Sequence, residues 1–260
     1  MATPNTTGKP VAGISLQRQG AIAIVTLSYP GKRNAMSRAM WHALRRIFLE
    51  LQQAQDVRCV VVCGAQGHFC AGGDISEYPD FRFDVAALTQ FHEVDVWGGL
   101  SAILACDIPV VCAIEGACMG AGVEIASCCD LRLAAVDAGF GAPIAKLGFP
   151  MAAREAALVS RAVGSTLARA MLLAAQVFSA EQMLGQGFLI EVTPAGAALE
   201  TAMALAQRVA ALAPQAARLN KQTLRQLQEG SPLDNAYAYA PHAEHREGIG
   251  AFLEKRKPTF

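Results

Sequence analysis

Two short, wholly apolar segments constrain the fold of this chain more than any other feature of its sequence. Cys59–Cys63 contains only valine and cysteine and is followed by Gly64. Pro109–Ile114 has the same character about fifty residues later, which leaves room for a crossover helix between two parallel strands. Between them, apolar residues recur at helical spacing from Val85 to Leu104. This order predicts a parallel sheet with right-handed crossovers, in which both strands are covered on both faces.

The segments that precede and follow this unit add further elements. Gly13–Gln17 and Ala21–Ser28 favour two strands at the spacing of a hairpin. An amphipathic helix is predicted from about Ser37 to Ala54, with Ser37 as its N-cap. A third apolar run, Leu131–Val136, is expected to form another strand.

The composition excludes several classes of protein. Of the 260 residues, 53% are hydrophobic and 17% are charged, so the chain can bury a large core and is neither disordered nor collagen-like. It has 22 basic and 22 acidic side chains, which argues against a broad basic surface for nucleic acid or acidic membranes. The eight cysteines fall mostly in apolar runs without the paired spacing of metal ligands, so we expect reduced core thiols and no metal.

The two ends of the chain are expected to differ from its middle. Met1–Pro10 is polar and brings little apolar area to offset the entropy of ordering, which predicts a flexible tail. The start lacks the features of a signal peptide, and no later window approaches the roughly 18 apolar residues of a membrane span, so a soluble, cytoplasmic protein is expected. Residues 11–192 are predicted to form the main body, and residues 193–260 a helical region rich in alanine and leucine.

Two loops rich in glycine and alanine follow the two apolar strands, and each ends on an acidic residue. The first is Gly67–Asp74 and the second is Glu115–Glu124. Small residues let the backbone approach a ligand and leave N–H groups free. Side by side at the ends of parallel strands, the loops would point two donors into one crevice and hold a developing oxyanion, which favours acyl chemistry. The alternative is that the small residues only allow tight packing of helix against strand.

A dinucleotide site is a competing interpretation of the second loop. Gly116, Gly120 and Gly122 follow a strand and open a predicted helix, but their spacing is G-x-x-x-G-x-G rather than G-x-G-x-x-G. Neither loop is followed by the Lys-Ser or Lys-Thr pair of a P-loop. The sequence therefore disfavours nicotinamide and ATP sites.

A series of segments, spread over nearly the whole chain, resembles the crotonase, or enoyl-CoA hydratase/isomerase, superfamily. The matching segments are Arg33–Ala35, Phe69–Asp74, Pro109–Val110, Gly116–Glu124, Cys129–Asp130, Phe140–Pro143, Leu147–Gly148, Arg161–Gly164, Arg246–Gly248 and Ala251–Pro258. Their order and spacing together are more specific than any single segment.

The resemblance implies a spiral core of repeated β-β-α turns in residues 11–192 and a helical C-terminal region that makes trimer contacts, commonly within a dimer of trimers. The stripe of Leu199, Ala202, Ala206 and Val209 is expected to lie at such a contact. The substrate implied is a coenzyme A thioester, so CoA enters as part of the substrate and no separate cofactor is expected. No nucleic-acid or membrane partner is implied.

The resemblance also implies roles for individual residues. The backbone N–H groups of Gly73 and Ala121 would hold the thioester oxygen, and alanine replaces the glycine often found at the second position. Arg33, together with Ala71, Asp74 and Ile75 in and after the first loop, would lie along the nucleotide and pantetheine of CoA. Lys255 would reach a phosphate from a neighbouring subunit.

One position departs from the pattern of the family's hydratases, which activate a water molecule with two glutamates. The first matches Glu124, which would need an apolar pocket to act as a general base. The second position is Ile144, whose aliphatic side chain can neither take nor give a proton. A double-bond shift or another one-base reaction is therefore at least as plausible as efficient water addition.

Several other titratable residues are candidates to replace the missing glutamate. Glu77 and Asp80 follow the first loop, while His92 and Asp95 lie on the next predicted helix, and solvated surface positions are favoured for all four. Asp130 is expected to be structural. The remaining candidates, His68, His242 and His245, show no spacing typical of a catalytic triad.

The reaction expected from these residues proceeds through a thioester enolate, with Glu124 as the acid/base group of an enoyl-CoA isomerase or hydratase. Thioester hydrolysis or decarboxylation on the same scaffold is the first alternative. A catalytically weak acyl-CoA-binding protein that kept the fold is the second.

Overall fold

The computed structural model describes residues 12–233 and 236–260, so the predicted tail at Met1–Pro10 lies outside the described residues. The described strands are β1 (Gly13–Gln19), β2 (Ile22–Ser28), β3 (Cys59–Gly64), β4 (Val110–Ile114), β5 (Ala117–Met119), β6 (Leu131–Ala135), β7 (Gly139–Gly141), β8 (Val177–Ser179) and β9 (Glu191–Thr193). The described α-helices are α1 (Arg38–Gln53), α2 (Val85–Gln90), α3 (Trp97–Ala105), α4 (Ala121–Cys128), α5 (Ala153–Val163), α6 (Ser165–Leu173), α7 (Ala180–Gly185), α8 (Ala198–Ala210), α9 (Pro214–Glu229) and α10 (Ala243–Leu253). Two 3₁₀ helices cover Ile75–Asp80 and Ile144–Leu147, and a π-helical turn covers Phe91–Val96.

The larger sheet has six strands in the order β1-β2-β3-β4-β6-β9. β1 and β2 pair antiparallel, which confirms the predicted hairpin. The other neighbouring strands of this sheet are parallel, and β3 and β4 lie side by side with Val61 opposite Val111. The prediction of parallel strands from the two apolar segments is therefore confirmed.

Both faces of β3 are covered, which explains its uninterrupted apolar sequence. Val60 and Val62 pack into a cluster that includes Phe48 of α1. Val61 faces the opposite way, into a second cluster that includes Ala202 of α8. Side chains on alternate sides of the strand thus both leave water, as expected for a strand in the middle of a parallel sheet.

The position of α8 corrects one expectation about the C-terminal region. Ala202 and Ala206 are fully buried against the larger sheet of their own subunit. The sheet needs a cover on that face, and the small side chains of α8 let the helix approach it closely. Leu199 is 41% exposed, so only part of the predicted stripe remains available for a subunit contact.

The chain repeats a strand, strand, helix turn, as expected for the spiral. β4 joins the larger sheet, β5 joins a three-stranded sheet with β7 and β8, and α4 follows; β6, β7 and α5 repeat the pattern. An earlier turn is less regular, since β3 is followed before α2 and α3 only by isolated bridges, from Cys70 to Cys118 of β5 and from Gly73 to Met36. Each turn brings a loop between strand and helix to the same edge of the molecule.

The helices also show where sequence periodicity was accurate and where it was not. Ser37 caps α1 by accepting a hydrogen bond from the Met40 N–H, as predicted. The single helix predicted from Val85 to Leu104 is instead two α-helices joined by the π-helical turn Phe91–Val96. The extra residue in that turn changes the direction in which His92 and its neighbours point.

All eight cysteines are free and buried, which confirms their prediction as reduced core residues. Within the two ranges that the structure describes, no helix combines the length and the apolar character that crossing a bilayer requires.

Candidate active site

The two glycine loops lie side by side because the strands that precede them are neighbours. The Cys70 N–H donates to the Ala117 carbonyl at 2.8 Å, and the Met119 N–H donates to the Cys70 carbonyl at the same distance of 2.8 Å. These two bonds join the middle of one loop to the start of the other. The predicted pairing of the loops is confirmed.

Glycine is required where the two loops touch. Gly72 has a φ of +114° and Gly120 a φ of +48°, in the left-handed half of backbone space that side chains disfavour. A Cβ at Gly120 would lie 3.6 Å from the Gly72 Cα, so the two backbones are already in close contact. This contact holds the residues that follow, Gly73 and Ala121, at one end of a cavity.

The backbone N–H groups of Gly73 and Ala121 are free to bind a ligand. Neither donates a hydrogen bond to another residue in the described part of the chain. Ala121 is the first residue of α4, where an N–H group has no partner inside the helix and the helix dipole favours negative charge. Replacement of the family's glycine by alanine therefore leaves the backbone donor in place.

Both loops open into a cavity of about 340 Å³, a volume typical of small-molecule sites. Its apolar wall includes Trp41, Phe91, Val96, Met119 and Phe149. The titratable side chains that line it are Tyr78, Arg82, His92, Glu124, Lys146 and Glu155. The cavity thus combines an apolar wall for an acyl group with a small set of groups that can exchange protons.

Glu124 is positioned by α4, of which it is the fourth residue, with its backbone N–H bonded to the Gly120 carbonyl at 3.1 Å. The residue is 6% exposed, and within the described chain its carboxyl oxygens form no hydrogen bond or ion pair. Burial raises the pKa of Glu124 well above its ordinary value, and the nearby Glu155 raises it further. The solvated or salt-bridged alternative for this residue is therefore wrong.

Glu155 is a cavity residue that sequence reasoning missed. It lies in the first turn of α5, in a segment for which no site residue was predicted. Its side chain is 5% exposed, and its Oε1 atom lies 2.8 Å from Nδ1 of His92. On the other side of the imidazole ring, Nη1 of Arg82 lies 3.1 Å from Nε2 of His92. The expectation that His92 is a solvated surface residue is wrong.

The other candidate acids, Glu77, Asp80 and Asp95, do not line the cavity. Glu77 accepts a hydrogen bond from the Arg38 N–H at the start of α1, and Asp80 is exposed and does not line the cavity. Asp95 is 3% exposed rather than solvated, because it pairs with Arg38 and His42. Neither Glu77 nor Asp80 takes the place of the missing glutamate.

Four further candidates are placed as expected. Asp130 accepts from the Val110 N–H and pairs with Lys221, a structural role. Nδ1 of His68 accepts from the Ala117 N–H, which makes it part of the loop framework. The C-terminal candidates, His242 and His245, do not line the cavity.

The residues assigned to CoA by resemblance fall into two groups. Ala71 and Ile75 line the cavity, and the Ala71 N–H donates to the carbonyl of Arg33. Asp74 is buried beside them; burial works to raise its pKa, but hydrogen bonds from Lys32 and from Ser76 outweigh burial and lower it. Lys255 follows α10 and does not line the cavity.

The burial of Glu124 predicts that Glu124→Gln stabilises the protein at alkaline pH. The raised pKa means that the folded state keeps this proton where the unfolded state has lost it, so stability falls as pH rises from the unfolded pKa to the folded one. Glutamine has no proton to lose. We expect the variant to melt higher than wild type at pH 8, by about 2–4 °C for each 1 kcal/mol of charge burial removed, with a smaller difference at pH 5. Melting curves in which the difference shrinks toward pH 8 would contradict this account.

Comparisons with known proteins identify the family of this chain. A family model described as enoyl-CoA hydratase/isomerase matches residues 17–260. The 2,3-dehydroadipyl-CoA hydratase of Escherichia coli K12 is 33% identical over 256 residues, covering 94% of this chain and 97% of that protein. A crystal structure of an enoyl-CoA hydratase/carnithine racemase from Magnetospirillum magneticum matches with a TM-score of 0.90 and 34% identity, covering 95% of this chain and 94% of that one. One from Hyphomonas neptunium, titled a putative enoyl-CoA hydratase/isomerase family protein, has a TM-score of 0.89 and 32% identity, covering 95% and 97%. The chain therefore belongs to the enoyl-CoA hydratase/isomerase family of the crotonase superfamily.

Proposed function

We propose that this protein stabilises the enolate of an acyl-CoA thioester and moves a proton at the carbon next to its carbonyl group. The N–H groups of Gly73 and Ala121 hold the thioester oxygen, and Glu124 exchanges the proton. The observation that carries this proposal is that two backbone donors and a buried carboxyl group, all without partners among the described residues, meet in one cavity.

The chemistry follows from where charge develops. Removing or adding a proton beside a thioester carbonyl places negative charge on the carbonyl oxygen, and fixed N–H donors in a site that excludes water stabilise that charge by several kcal/mol. A carboxyl group whose pKa is raised exchanges protons near neutral pH. The environment of Glu124 supplies that condition.

The CoA part of the substrate would lie along the first loop. Ala71 and Ile75 are at the cavity mouth and offer backbone and apolar contacts there. The Asp74 carboxylate is held by Lys32 and its backbone N–H donates to the Met36 carbonyl, so Asp74 would support this loop rather than contact CoA itself. Arg33 is exposed beside this loop and is free to approach a phosphate, whereas Lys255 would act from a neighbouring subunit.

Thioester hydrolysis through a covalent nucleophile has less support from this site. All eight cysteines are buried, and burial raises the pKa of Cys70, which lies in the first loop, to about 12. A thiol with so high a pKa is not a nucleophile at neutral pH. Proton transfer at the enolate is therefore the reaction favoured over acyl transfer.

The test is to identify products after incubation with a 2-enoyl-CoA, a 3-enoyl-CoA and a malonyl-type CoA thioester. We expect hydration or double-bond migration, with the thioester intact. Release of free CoA, loss of carbon dioxide, or binding without turnover would identify the hydrolase, the decarboxylase or the acyl-CoA-binding alternative, and each would contradict the proposal.

We also propose that the subunits assemble as a trimer or as a dimer of trimers. The C-terminal helices leave large apolar side chains exposed, among them Leu224 and Leu227 of α9 and Phe252 and Leu253 of α10. Such residues are typically covered in an oligomer. Multi-angle light scattering at micromolar concentration is expected to give three or six times the mass of the chain. A stable monomer would contradict both the assembly and any role of Lys255 in a neighbouring site.

A further inference from the structure

The cavity holds a second carboxyl group that the family pattern does not explain. Ile144 lines the cavity where the family's hydratases have their second glutamate, and Glu155 lines the same cavity from α5. We propose that Glu155 is the second acid/base group of this site, oriented by His92 and Arg82, and that the reaction is reversible addition of water to a 2-enoyl-CoA. This inference rests on the enolate chemistry proposed above and names the reaction that completes it.

Glu155 does not form the side-chain cap that is typical of its position in a helix. It is the third residue of α5, where a glutamate ordinarily turns back to the N-cap backbone in a capping box. Here the N-cap is Ala152, which offers no side-chain partner, and no side-chain capping bond forms. The carboxyl group reaches Nδ1 of His92 at 2.8 Å instead.

The two hydrogen bonds of the His92 ring show which of its nitrogens carries the proton. Arginine has only donors, so Nη1 of Arg82 must donate to Nε2 of His92, and that nitrogen carries no hydrogen. The proton of the neutral ring is therefore on Nδ1, and it is donated to Oε1 of Glu155. This chain of two donated hydrogen bonds starts at a guanidinium cation and ends on Oε1 of Glu155, so it fixes the orientation of that carboxyl group.

The positioning groups are themselves held in place. The guanidinium of Arg82 lies 3.7 Å from the ring centroid of Phe149 and 4.4 Å from that of Tyr78. His92 lies on the π-helical turn Phe91–Val96, a rare element that is frequent at functional sites. The stacked guanidinium of Arg82 and the π-helical turn that carries His92 together fix the direction from which His92 donates to Glu155.

The two carboxyl groups are in different environments, as an acid and a base must be. Oε1 of Glu155 accepts a hydrogen bond from His92, while Oε2 has no hydrogen bond within the described chain and is available to water. Glu124 has no donor of this kind, and its pKa is raised by burial and by Glu155. Two carboxyl groups in one pocket, one held by a donor and the other without one, are the kind of unequal pair to which the roles of acid and base are assigned.

The proposed hydration needs no reagent other than the substrate, water and the two carboxyl groups. The Glu155 carboxylate takes a proton from water while the water oxygen bonds to C3 of the enoyl group. The π electrons of C2=C3 move toward the thioester oxygen, and the resulting enolate is held by the N–H groups of Gly73 and Ala121. The enolate then takes the proton of Glu124 at C2, and a proton passes from Glu155 to Glu124 through water before the next turnover.

The experiment compares two reactions of the same variants. Hydration is measured with 2-enoyl-CoA thioesters of short, medium and long chain, and enolate formation is measured as exchange of the C2 hydrogens of butyryl-CoA in D₂O. Only hydration needs a base for water. We expect Glu155→Gln to lower the hydration rate by at least ~10² more than it lowers the exchange rate. Glu93→Gln, an exposed glutamate paired with Arg154, is the matched control and should change neither reaction.

The outcomes separate this inference from the proposed function. If wild type exchanges the C2 hydrogens but hydrates none of the enoyl thioesters, or if Glu155→Gln hydrates at the wild-type rate, the role of Glu155 is overturned while the enolate chemistry stands. If wild type shows neither exchange nor hydration, the proposed function itself fails. Exchange by a variant also shows that it has folded.

His92 is tested as a positioning residue through the ratio of the hydration rate to the exchange rate. His92→Ala removes the donor that orients the Glu155 carboxyl group, so hydration should fall more than C2 exchange does. His92→Gln keeps a side-chain donor and should restore part of the lost hydration. Equal losses of both reactions in His92→Ala, with no rescue by His92→Gln, would show that His92 has only a structural role.

Discussion

Glu124→Gln is expected to lower turnover by about 10² or more, the usual contribution of a positioned acid or base, with little change in the affinity for CoA. Glutamine keeps the size and polarity of the side chain but cannot exchange the proton. The cavity should keep its shape, because α4 is buried along its whole length and position 124 makes no ion pair in the described chain. Steady-state kinetics with a thioester that the wild type converts, together with CoA binding by calorimetry, measure the two quantities separately.

The matched control for this prediction is the same substitution at Glu93, a glutamate 44% exposed in its side chain and paired with Arg154 on the protein surface. That variant should keep wild-type turnover. If Glu124→Gln loses affinity for CoA in proportion to its loss of turnover, the residue binds substrate rather than exchanging a proton. If it keeps turnover, another group performs the chemistry and the proposed function is wrong.

The sequence predicted those parts of the fold that rest on local patterns. The β3 and β4 segments are apolar at successive positions because both sheet faces are covered, and that pattern is visible without a structure. The pairing of the two glycine loops followed from the same strands, since neighbouring parallel strands end at one edge. The burial of α8 was not predictable in this way, because its alanine stripe fits a sheet and a partner subunit equally well.

The sequence did not predict the part of the site formed by Glu155 and His92, because that part depends on contacts between elements that are distant in sequence. Glu155 and His92 are separated by 63 residues, and nothing in the neighbourhood of either marks it as a partner of the other. The π-helical turn that carries His92 also shifts the helical phase, so periodicity assigns its residues to the wrong face. An acidic side chain early in α5, beside segments that match the family, was the available signal, and it acquires meaning only once α5 is placed against α4.

Gly73→Ala is expected to lower turnover by about 10² to 10³, the scale of losing one oxyanion donor. The φ of Gly73 is not positive, so the backbone conformation itself accepts alanine. The obstacle is the hydroxyl oxygen of Tyr78, which an alanine Cβ would approach to 2.2 Å. Tyr78 cannot easily move away, because its ring makes edge contacts with Phe81, Phe91 and Phe149. The strain therefore displaces the loop and turns the Gly73 N–H away from the thioester oxygen.

Tyr78→Phe supplies the matched background, because it removes only the hydroxyl oxygen and leaves the nearest ring carbon at 3.3 Å from the added Cβ. In that background Gly73→Ala should cost much less turnover than it does in wild type, and a double-mutant cycle measures the difference directly. Equal losses in both backgrounds would show that the collision with the hydroxyl is not the cause. Undiminished turnover of the single Gly73→Ala variant would remove this N–H from the oxyanion site, because a displaced loop cannot hold the donor where the enolate oxygen forms.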